Sequence, residues 1–222
     1  MCLSEDMSKS KIIIGDATQL NISDFPNRYG VIVADPPWRY DFSIDKRDSI
    51  EDHYQTMTIE SICSMPVQKI AAENSVCLLW GTWPKMPWAS LVLESWGFEH
   101  VTGFPWVKMN SDGLSLYYGM GHWVRGCSEF VVIGRRGNVS PPRLEGFLGL
   151  MSPNLQHSRK PDDIYEIAEA LPGPYLELFA RRSRDGWHSF GNEVEDVMTG
   201  QTFTAHNNGM HATAQPRLFT LD

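Results

Sequence analysis

A motif suited to catalysis stands at residues 31–38, where an apolar run ends in an acid, two prolines and a tryptophan. Asp35 can accept one N–H of an exocyclic amino group, such as N6 of adenine, and the backbone carbonyl of Pro36 can accept the other. Such acceptors make the nitrogen more nucleophilic towards an incoming methyl group. Because Pro36 and Pro37 hold the chain extended, both acceptors are fixed in place, and Trp38 offers a flat face for an unstacked base.

Two prolines followed by a tryptophan also occur where a strand simply ends and the aromatic ring joins the core. The four residues alone fit this structural interpretation as well as the catalytic one. The surrounding elements and the rest of the chain have to decide between them.

The elements around the motif predict an α/β fold. Short apolar, β-branched runs predict buried strands at 11–14, 30–34, 75–80, 129–133 and 175–180. Apolar residues at helical spacing predict helices at 58–74, 88–96 and 161–171. Alternating strands and helices indicate a mostly parallel sheet covered on both faces, which binds ligands at the carboxyl ends of its strands.

Length and composition predict one domain. The chain has 222 residues, of which 42% are hydrophobic and 21% charged, as in ordinary globular proteins. We expect a catalytic domain at 11–198, an N-terminal extension at 1–10 and a poorly ordered tail at 199–222, with functional loops at 108–125 and 136–158. No apolar run approaches the ~20 residues of a membrane helix, and the N-terminus lacks the apolar core of a signal peptide, which predicts a cytoplasmic protein.

The charge distribution bears on possible partners and metals. A net charge of −8 argues mildly against coating nucleic acid through bulk electrostatics. Basic residues nevertheless concentrate at 135–136, 143, 159–160 and 181–184, where they could form one positive face or simply be solvated. The cysteines form no C-x-x-C pair and the histidines have no ligand-like spacing, so no metal site is predicted.

Residues 35–38 resemble the catalytic tetrad of the N6-adenine methyltransferase family typified by the catalytic subunit of the mRNA adenosine methyltransferase. Further similar segments follow in the family's order over residues 12–194. They are residues 14–17 (Ile-Gly-Asp-Ala), 53–57 (His-Tyr-Gln-Thr-Met), 119–125 (Gly-Met-Gly-His-Trp-Val-Arg), 158–162 (Ser-Arg-Lys-Pro-Asp), 177–181 (Glu-Leu-Phe-Ala-Arg) and 190–193 (Phe-Gly-Asn-Glu), together with Glu129, Gly134 and Gly137.

This resemblance implies a Rossmann-like methyltransferase fold, with the methyl-acceptor motif placed before the cofactor strand, and S-adenosylmethionine as the cofactor. Lys160 would pair with the methionyl carboxylate of the cofactor, and Asp16 would accept from its adenine amino group. The full set of implied cofactor residues is Asp16, Ala17, Asp35, Lys160, Arg181, Asn192 and Glu193. Arg181 and Asn192 would reach the ribose hydroxyls.

The resemblance also implies a target pocket between Trp38 and Tyr54, with Trp123 and Arg125 in a loop near the nucleic acid. The sequence departs from eukaryotic catalytic subunits at residues 182–184, which read Arg-Ser-Arg instead of Pro-His-Asn, and at Glu193, where many relatives have glutamine. The short chain is more similar to compact bacterial and phage members, which are thought to act on DNA.

We therefore expect adenine N6 methylation of DNA, in preference to RNA. An RNA adenosine methyltransferase presents the same chemistry and stays open. A catalytically silent subunit that presents nucleic acid to an active partner is disfavoured by the intact tetrad and Lys160. Methylation of a glutamine or small amine is a third alternative, disfavoured by the Asp and Trp of the tetrad. A homodimer or protein partner is open.

Overall fold

The computed structural model describes residues 10–16, 20–40, 56–119, 123–142, 144–154 and 159–205. Three α-helices lie within these ranges: α1 (Ile59–Ser64), α2 (Met86–Ser95) and α3 (Asp163–Glu169). The described strands are β1 (Lys11–Ile14), β2 (Tyr29–Ala34), β3 (Ala71–Gly81), β4 (Glu99–Met109), β5 (Ser128–Arg136), β6 (Leu150–Pro153), β7 (Tyr175–Leu178), β8 (Trp187–Gly191), β9 (Glu193–Glu195) and β10 (Thr202–Thr204).

Eight strands form one sheet in the order β1-β8-β7-β2-β3-β5-β4-β6. Neighbouring strands are parallel except that β5 runs antiparallel to both β3 and β4. This arrangement confirms the predicted α/β fold with a mostly parallel sheet. No helix in the described ranges is long and apolar enough to cross a membrane.

The two faces of the sheet have separate cores. Ile32 of the central strand β2 belongs to one core with Ile62 of α1 and Leu93 of α2, whereas its neighbour Val33 belongs to the other core with Ile164 of α3. Every residue of β2 is buried, as expected for a strand covered on both sides. Because β2 is apolar on both sides, it needs cover on both faces, and α1 and α2 supply it on one face and α3 on the other.

The two strands that flank β2 are reached by connections on opposite faces of the sheet. It crosses from β2 to β3 through α1 on one face, and it returns to β7, on the other side of β2, after α3 on the opposite face. Such a reversal opens a crevice at the carboxyl ends of the strands. Asp35 follows β2 at this position.

The helix predicted at 58–74 is wrong in its second half. Thr58 caps α1 by accepting the backbone N–H of Ser61 at 3.2 Å, but α1 ends at Ser64 and residues 71–74 already belong to β3. Pro66 supplies the physical reason, because proline lacks the N–H that a continuing helix requires.

The sequence patterns missed β4, the 11-residue strand between β5 and β6. Gly103 and Pro105 interrupt its apolar pattern, yet Gly103 is required there because a Cβ atom would lie 2.4 Å from the carbonyl oxygen of Val131. The predicted loop at 108–125 therefore begins inside β4. Likewise, β6 lies inside the predicted loop at 136–158.

Strands β8 and β10 were also missed. β8 contains polar His188 and Ser189, although the strand is buried throughout. β10 pairs antiparallel with β9, with Phe203 opposite Val194, so the boundary drawn at Met198 falls before the last described strand. The remainder of the predicted tail, from residue 206, lies outside the described residues.

Candidate active site

Four charged side chains form a continuous chain at the carboxyl edge of the sheet. Asp35 Oδ2 lies 2.8 Å from Nζ of Lys160, and the same ammonium lies 3.2 Å from Glu129 Oε2. The other oxygen of Glu129 contacts Nζ of Lys108 at 2.5 Å. Two carboxylates and two ammonium groups thus alternate in the order Asp35, Lys160, Glu129, Lys108. We call these four side chains the charged chain.

The topology explains why residues so distant in sequence meet. Asp35 follows the carboxyl end of β2, and Lys108 lies near the carboxyl end of β4. Glu129 is near the amino end of β5, but β5 is antiparallel and therefore presents this end at the same edge. Lys160 stands in the segment that leads into α3.

Lys160 and Glu129, the two central members of the charged chain, are both held in their charged forms. Burial alone would lower the pKa of Lys160, but the carboxylates of Asp35 and Glu129 outweigh it and raise this pKa. Burial alone would raise the pKa of Glu129, but Lys160 and Lys108 outweigh it and lower that pKa. The Lys160 ammonium also lies 5.5 Å from the centre of the Trp80 ring, which adds a favourable cation–π contact.

The predicted catalytic loop, which begins at residue 35, is held by backbone hydrogen bonds. The Trp38 N–H donates to the Pro36 carbonyl at 2.8 Å, and the Met57 N–H donates to the Pro37 carbonyl at 2.8 Å. Because a carbonyl oxygen has two lone pairs, the hydrogen bond from Trp38 leaves the Pro36 carbonyl a second acceptor site. The loop is therefore rigid on the side where an amino group would have to be held.

Trp38 itself is only 5% exposed and belongs to the core on the α1 and α2 face. Its indole N–H donates to the Trp80 carbonyl at 3.2 Å, which ties the catalytic loop to β3. Most of the Trp38 ring thus lies in the core, as the structural interpretation of the motif predicts. Its stacking on a target base stays a prediction.

Tyr40 provides a second attachment of the catalytic loop that the sequence patterns did not indicate. Its hydroxyl forms a short hydrogen bond with Oγ1 of Thr82, directly after β3. The Lys85 ammonium lies 5.1 Å from the centre of the Tyr40 ring. Burial raises the pKa of Tyr40, so its hydroxyl stays neutral at ordinary pH.

We expect Tyr40→Phe to lower kcat about five-fold, because the loss of one partly buried hydrogen bond, worth about 1 kcal/mol, loosens the loop. Steady-state kinetics of the reaction that the resemblance implies measure this effect. Tyr175→Phe is the matched control, since its hydroxyl bonds to the Leu171 carbonyl, away from the charged chain. Equal kcat values for both variants and the unaltered protein would show that Tyr40 has no such role.

A cavity of about 1000 Å³ opens beside Asp35. Asp35, Lys160, Glu177 and Arg181 all contribute to its wall. It lies on the α3 side of the sheet, at the reversal between β2 and β7. It is large enough for a nucleoside-sized molecule with a charged tail, since ligand sites for drug-sized molecules commonly range from about 300 to 1,000 Å³.

Glu177 is a partly buried acid in this cavity. It lies in β7, and the Tyr165 hydroxyl of α3 donates to its Oε2 at 2.8 Å. Burial raises the pKa of Glu177 to about 7, and the nearby Asp35 carboxylate adds to the effect. Near neutral pH its carboxyl group can therefore be protonated or ionised, and it lines the cavity. The acid at the start of a Glu-Leu-Phe-Ala-Arg segment could have indicated this role from the sequence.

The raised pKa of Glu177 predicts a stability that depends on pH. Between pH 4.5 and 7 the folded protein binds more protons at this group than the unfolded chain, so stability falls as pH rises through this window. Glu177→Gln, which stays neutral, should therefore raise the melting temperature at pH 8 by about 5 °C and change it little at pH 4.5. Thermal unfolding measured at both pH values tests this.

Glu166→Gln on the exposed side of α3 is the control for that measurement. It should leave the melting temperature unchanged at either pH. An equal rise at both pH values for Glu177→Gln would contradict a titration origin of the effect.

Two further predicted cofactor residues lie at adjacent strand ends. Asp16 follows β1 and Asn192 follows β8, and these ends are joined by a hydrogen bond from the Gly15 N–H to the Gly191 carbonyl at 3.2 Å. Arg181 follows the next strand, β7. Glu193 begins β9 with an exposed side chain. The predicted residues Ala17 and Tyr54 lie outside the described residues.

Comparison with known proteins adds to this geometry. Residues 29–193, from β2 to the first residue of β9, match the family described as MT-A70. The chain belongs to the MT-A70 family. The matched range includes Asp35, Glu129, Lys160 and Glu177, whereas Asp16 precedes it.

Individual relatives of this MT-A70 chain differ in length. Type II methyltransferase M.MunI of Mycoplasma sp is 32% identical over 193 residues, which cover 76% of the chain and 79% of that protein. A probable N(6)-adenosine-methyltransferase MT-A70-like protein of rice is 28% identical over 199 residues, covering 85% of the chain but only 27% of the relative. The human N(6)-adenosine-methyltransferase catalytic subunit METTL3 is 28% identical over 181 residues, covering 77% and 29%.

Trp123 and Arg125 are not brought to the charged chain of this MT-A70 protein. Trp123 is 99% exposed, and the Arg125 guanidinium lies over the ring of exposed Tyr118 at 5.8 Å. Neither residue is among the described residues that line the cavity. Their contact with nucleic acid stays a prediction.

The structure also adds functional candidates that the motif pattern did not single out. Lys108 pairs with Glu129, Tyr40, just after the tetrad, bonds to Thr82, and Glu177 lines the cavity together with Asp35 and Lys160. Among the described residues, no group of three or more His, Cys, Asp or Glu side chains is arranged to hold a metal ion.

Proposed function

We propose that this MT-A70 chain transfers a methyl group from S-adenosylmethionine to N6 of adenine in DNA. The observation that carries the proposal is the position of Asp35. It stands at the carboxyl end of the central strand, at the mouth of a cavity, with Lys160 bound to it at 2.8 Å. The carbonyl acceptor of Pro36 follows directly in the chain.

The cavity suits S-adenosylmethionine in size and charge. Both Lys160 and Glu177 line it. Lys160 would bind the methionyl carboxylate, and Glu177 would accept a hydrogen bond from the cofactor's amino group. Beyond Arg181, the strand ends of β8 and β1 carry Asn192 and Asp16 for the ribose and adenine. Ala17, through its backbone amide, and Glu193 complete the proposed cofactor residues.

The protein's contribution to the reaction is positioning and electrostatics. S-adenosylmethionine supplies a methyl group on a sulfonium, whose leaving group is a neutral thioether. Asp35 and the Pro36 carbonyl accept the two N–H bonds of adenine N6, which aims the nitrogen lone pair at that methyl group. One of these protons leaves the nitrogen after transfer, and the Asp35 carboxylate is the adjacent acceptor.

The rest of the proposed site holds the nucleic acid. Trp38 and Tyr54 would enclose the target base, which must be turned out of its stack to reach Asp35. Trp123 and Arg125, both exposed, would contact the strand outside the pocket. A partner protein or a second copy could share this work, and the proposed location is the cytoplasm.

DNA is the proposed substrate because of the similarity to M.MunI, which covers 79% of that type II methyltransferase. The relatives from rice and human named adenosine methyltransferases match over only 27% and 29% of their lengths. RNA carries the same amino group, so a DNA methyltransferase and an RNA methyltransferase of this kind differ only in the polymer that they accept.

The test compares kcat/KM for single-stranded DNA, double-stranded DNA and RNA of matched sequence, with each polymer as competitor for the others. We expect one form of DNA to be preferred over RNA by at least ten-fold. A preference for RNA would overturn the assignment to DNA while leaving the methylation chemistry intact.

A further inference from the structure

Trp83 is a half-exposed tryptophan whose orientation is fixed. It follows β3 directly after Thr82 and is 47% exposed. Its indole N–H donates to Oγ of Ser128 at 2.9 Å, and its ring lies against Phe130 with centroids 5.4 Å apart. Phe130 can lie there because residue 81 is glycine, where a Cβ atom would lie 2.6 Å from the Phe130 ring. The two rings are tilted by 58°, so the indole touches the protein on one side while nearly half of its surface faces solvent.

Trp83 is linked to the proposed reaction centre through two neighbouring residues. Thr82, its neighbour in the chain, bonds to Tyr40 at the end of the described catalytic loop. Phe130, beneath its ring, is the residue after Glu129, which pairs with Lys160. Trp83 thus lies at the same edge of the sheet as Asp35, one strand away.

An exposed aromatic face beside a nucleotide site suits base stacking. Every nucleobase has a π-face, so stacking on an aromatic side chain strengthens binding without requiring a particular sequence. The indole N–H of Trp83 is already engaged by Ser128, so the ring surface is what it offers. Its fixed orientation also reduces the entropy lost on binding.

We propose that Trp83 is the stacking platform for a nucleotide that flanks the target adenine. This inference rests on the proposed function, because it takes nucleic acid as the substrate. Trp83 acts on the strand and not on the reacting atoms, so it should govern the affinity for nucleic acid more than the chemical step. Its effect should be shared by any polymer that the enzyme accepts.

The test measures methylation kinetics and the binding of a fluorescein-labelled, adenine-containing single-stranded DNA of mixed sequence. Trp83→Ala should raise KM and Kd for the DNA about ten-fold, change kcat less than two-fold and leave cofactor affinity unchanged. Trp83→Phe should recover most of the loss because it retains a ring. Trp88→Ala is the matched control, since Trp88 is 44% exposed on α2, and it should behave like the unaltered protein.

Unchanged DNA affinity in Trp83→Ala would overturn the inference and would fit a protein partner covering this face instead. An equal loss in Trp88→Ala would also overturn it, because the effect would then belong to the whole apolar surface. The binding measurement separates the two proposals: if the protein binds DNA through Trp83 but forms no methylated product, the platform stands and the proposed reaction fails.

Discussion

Replacing Asp35 with asparagine is expected to lower kcat for methyl transfer by about three orders of magnitude. The amide keeps one oxygen acceptor but loses the negative charge, and its own N–H group would face either Lys160 or the amino group of the base. It would also lose the 2.8 Å ion pair that fixes the position of this side chain. Single-turnover kinetics at saturating cofactor measure the chemical step directly.

Asp112→Asn is the matched control for Asp35→Asn. Asp112 accepts the backbone N–H bonds of Leu114 and Ser115 in an exposed turn, and an asparagine oxygen can keep these bonds. Its activity should equal that of the unaltered protein. If Asp35→Asn retained more than a tenth of the activity, another group would have to orient the amino nitrogen.

Lys160→Met is expected to weaken cofactor binding about a hundred-fold and to remove most activity. Lys160 holds two carboxylates at once, those of Asp35 and Glu129, and its loss leaves both near each other without their shared ammonium. Truncating one member of such a buried charge pair commonly costs about 2–5 kcal/mol. The proposed ion pair with the methionyl carboxylate would be lost as well. Isothermal titration with S-adenosylmethionine measures the affinity.

Lys108→Met gives the graded comparison, because Lys108 is the outermost of the four charged side chains and pairs with Glu129, not with Asp35. Its effect on cofactor affinity should be at least ten-fold smaller than that of Lys160→Met. Similar effects of both changes would indicate a general loss of charge balance and would argue against a specific cofactor contact at Lys160.

The central part of the fold was predictable because the apolar pattern of its sequence agrees with its burial in the folded protein. β2 is a continuous apolar run and is buried on both faces, and Asp35 stands where the run ends. The interruption by Gly103 and Pro105 concealed β4, since the reason for that glycine is its contact with β5. Strand partners supplied by tertiary structure thus outweighed the local pattern.

The charged chain shows a similar limit for the site. Lys160 was found through its resemblance to a family segment, but its pairing with Glu129 depends on an antiparallel β5 that apolar patterns cannot orient. The basic residues considered as one positive face are partly neutralised: Arg135 pairs with Glu99, and Arg184 pairs with Glu169. These pairings are set by strand and helix neighbours and not by spacing in the sequence.

The most direct test of the methylation chemistry is nucleoside analysis of DNA incubated with the protein and S-adenosylmethionine carrying a deuterated methyl group. We expect deuterated N6-methyladenine from the unaltered protein and none from Asp35→Ala, at a cofactor concentration that saturates both. A methyl group on another atom would contradict the role of Asp35 and the Pro36 carbonyl. No label in DNA or RNA despite measurable cofactor binding would contradict the account as a whole and would favour a subunit that binds nucleic acid without catalysis.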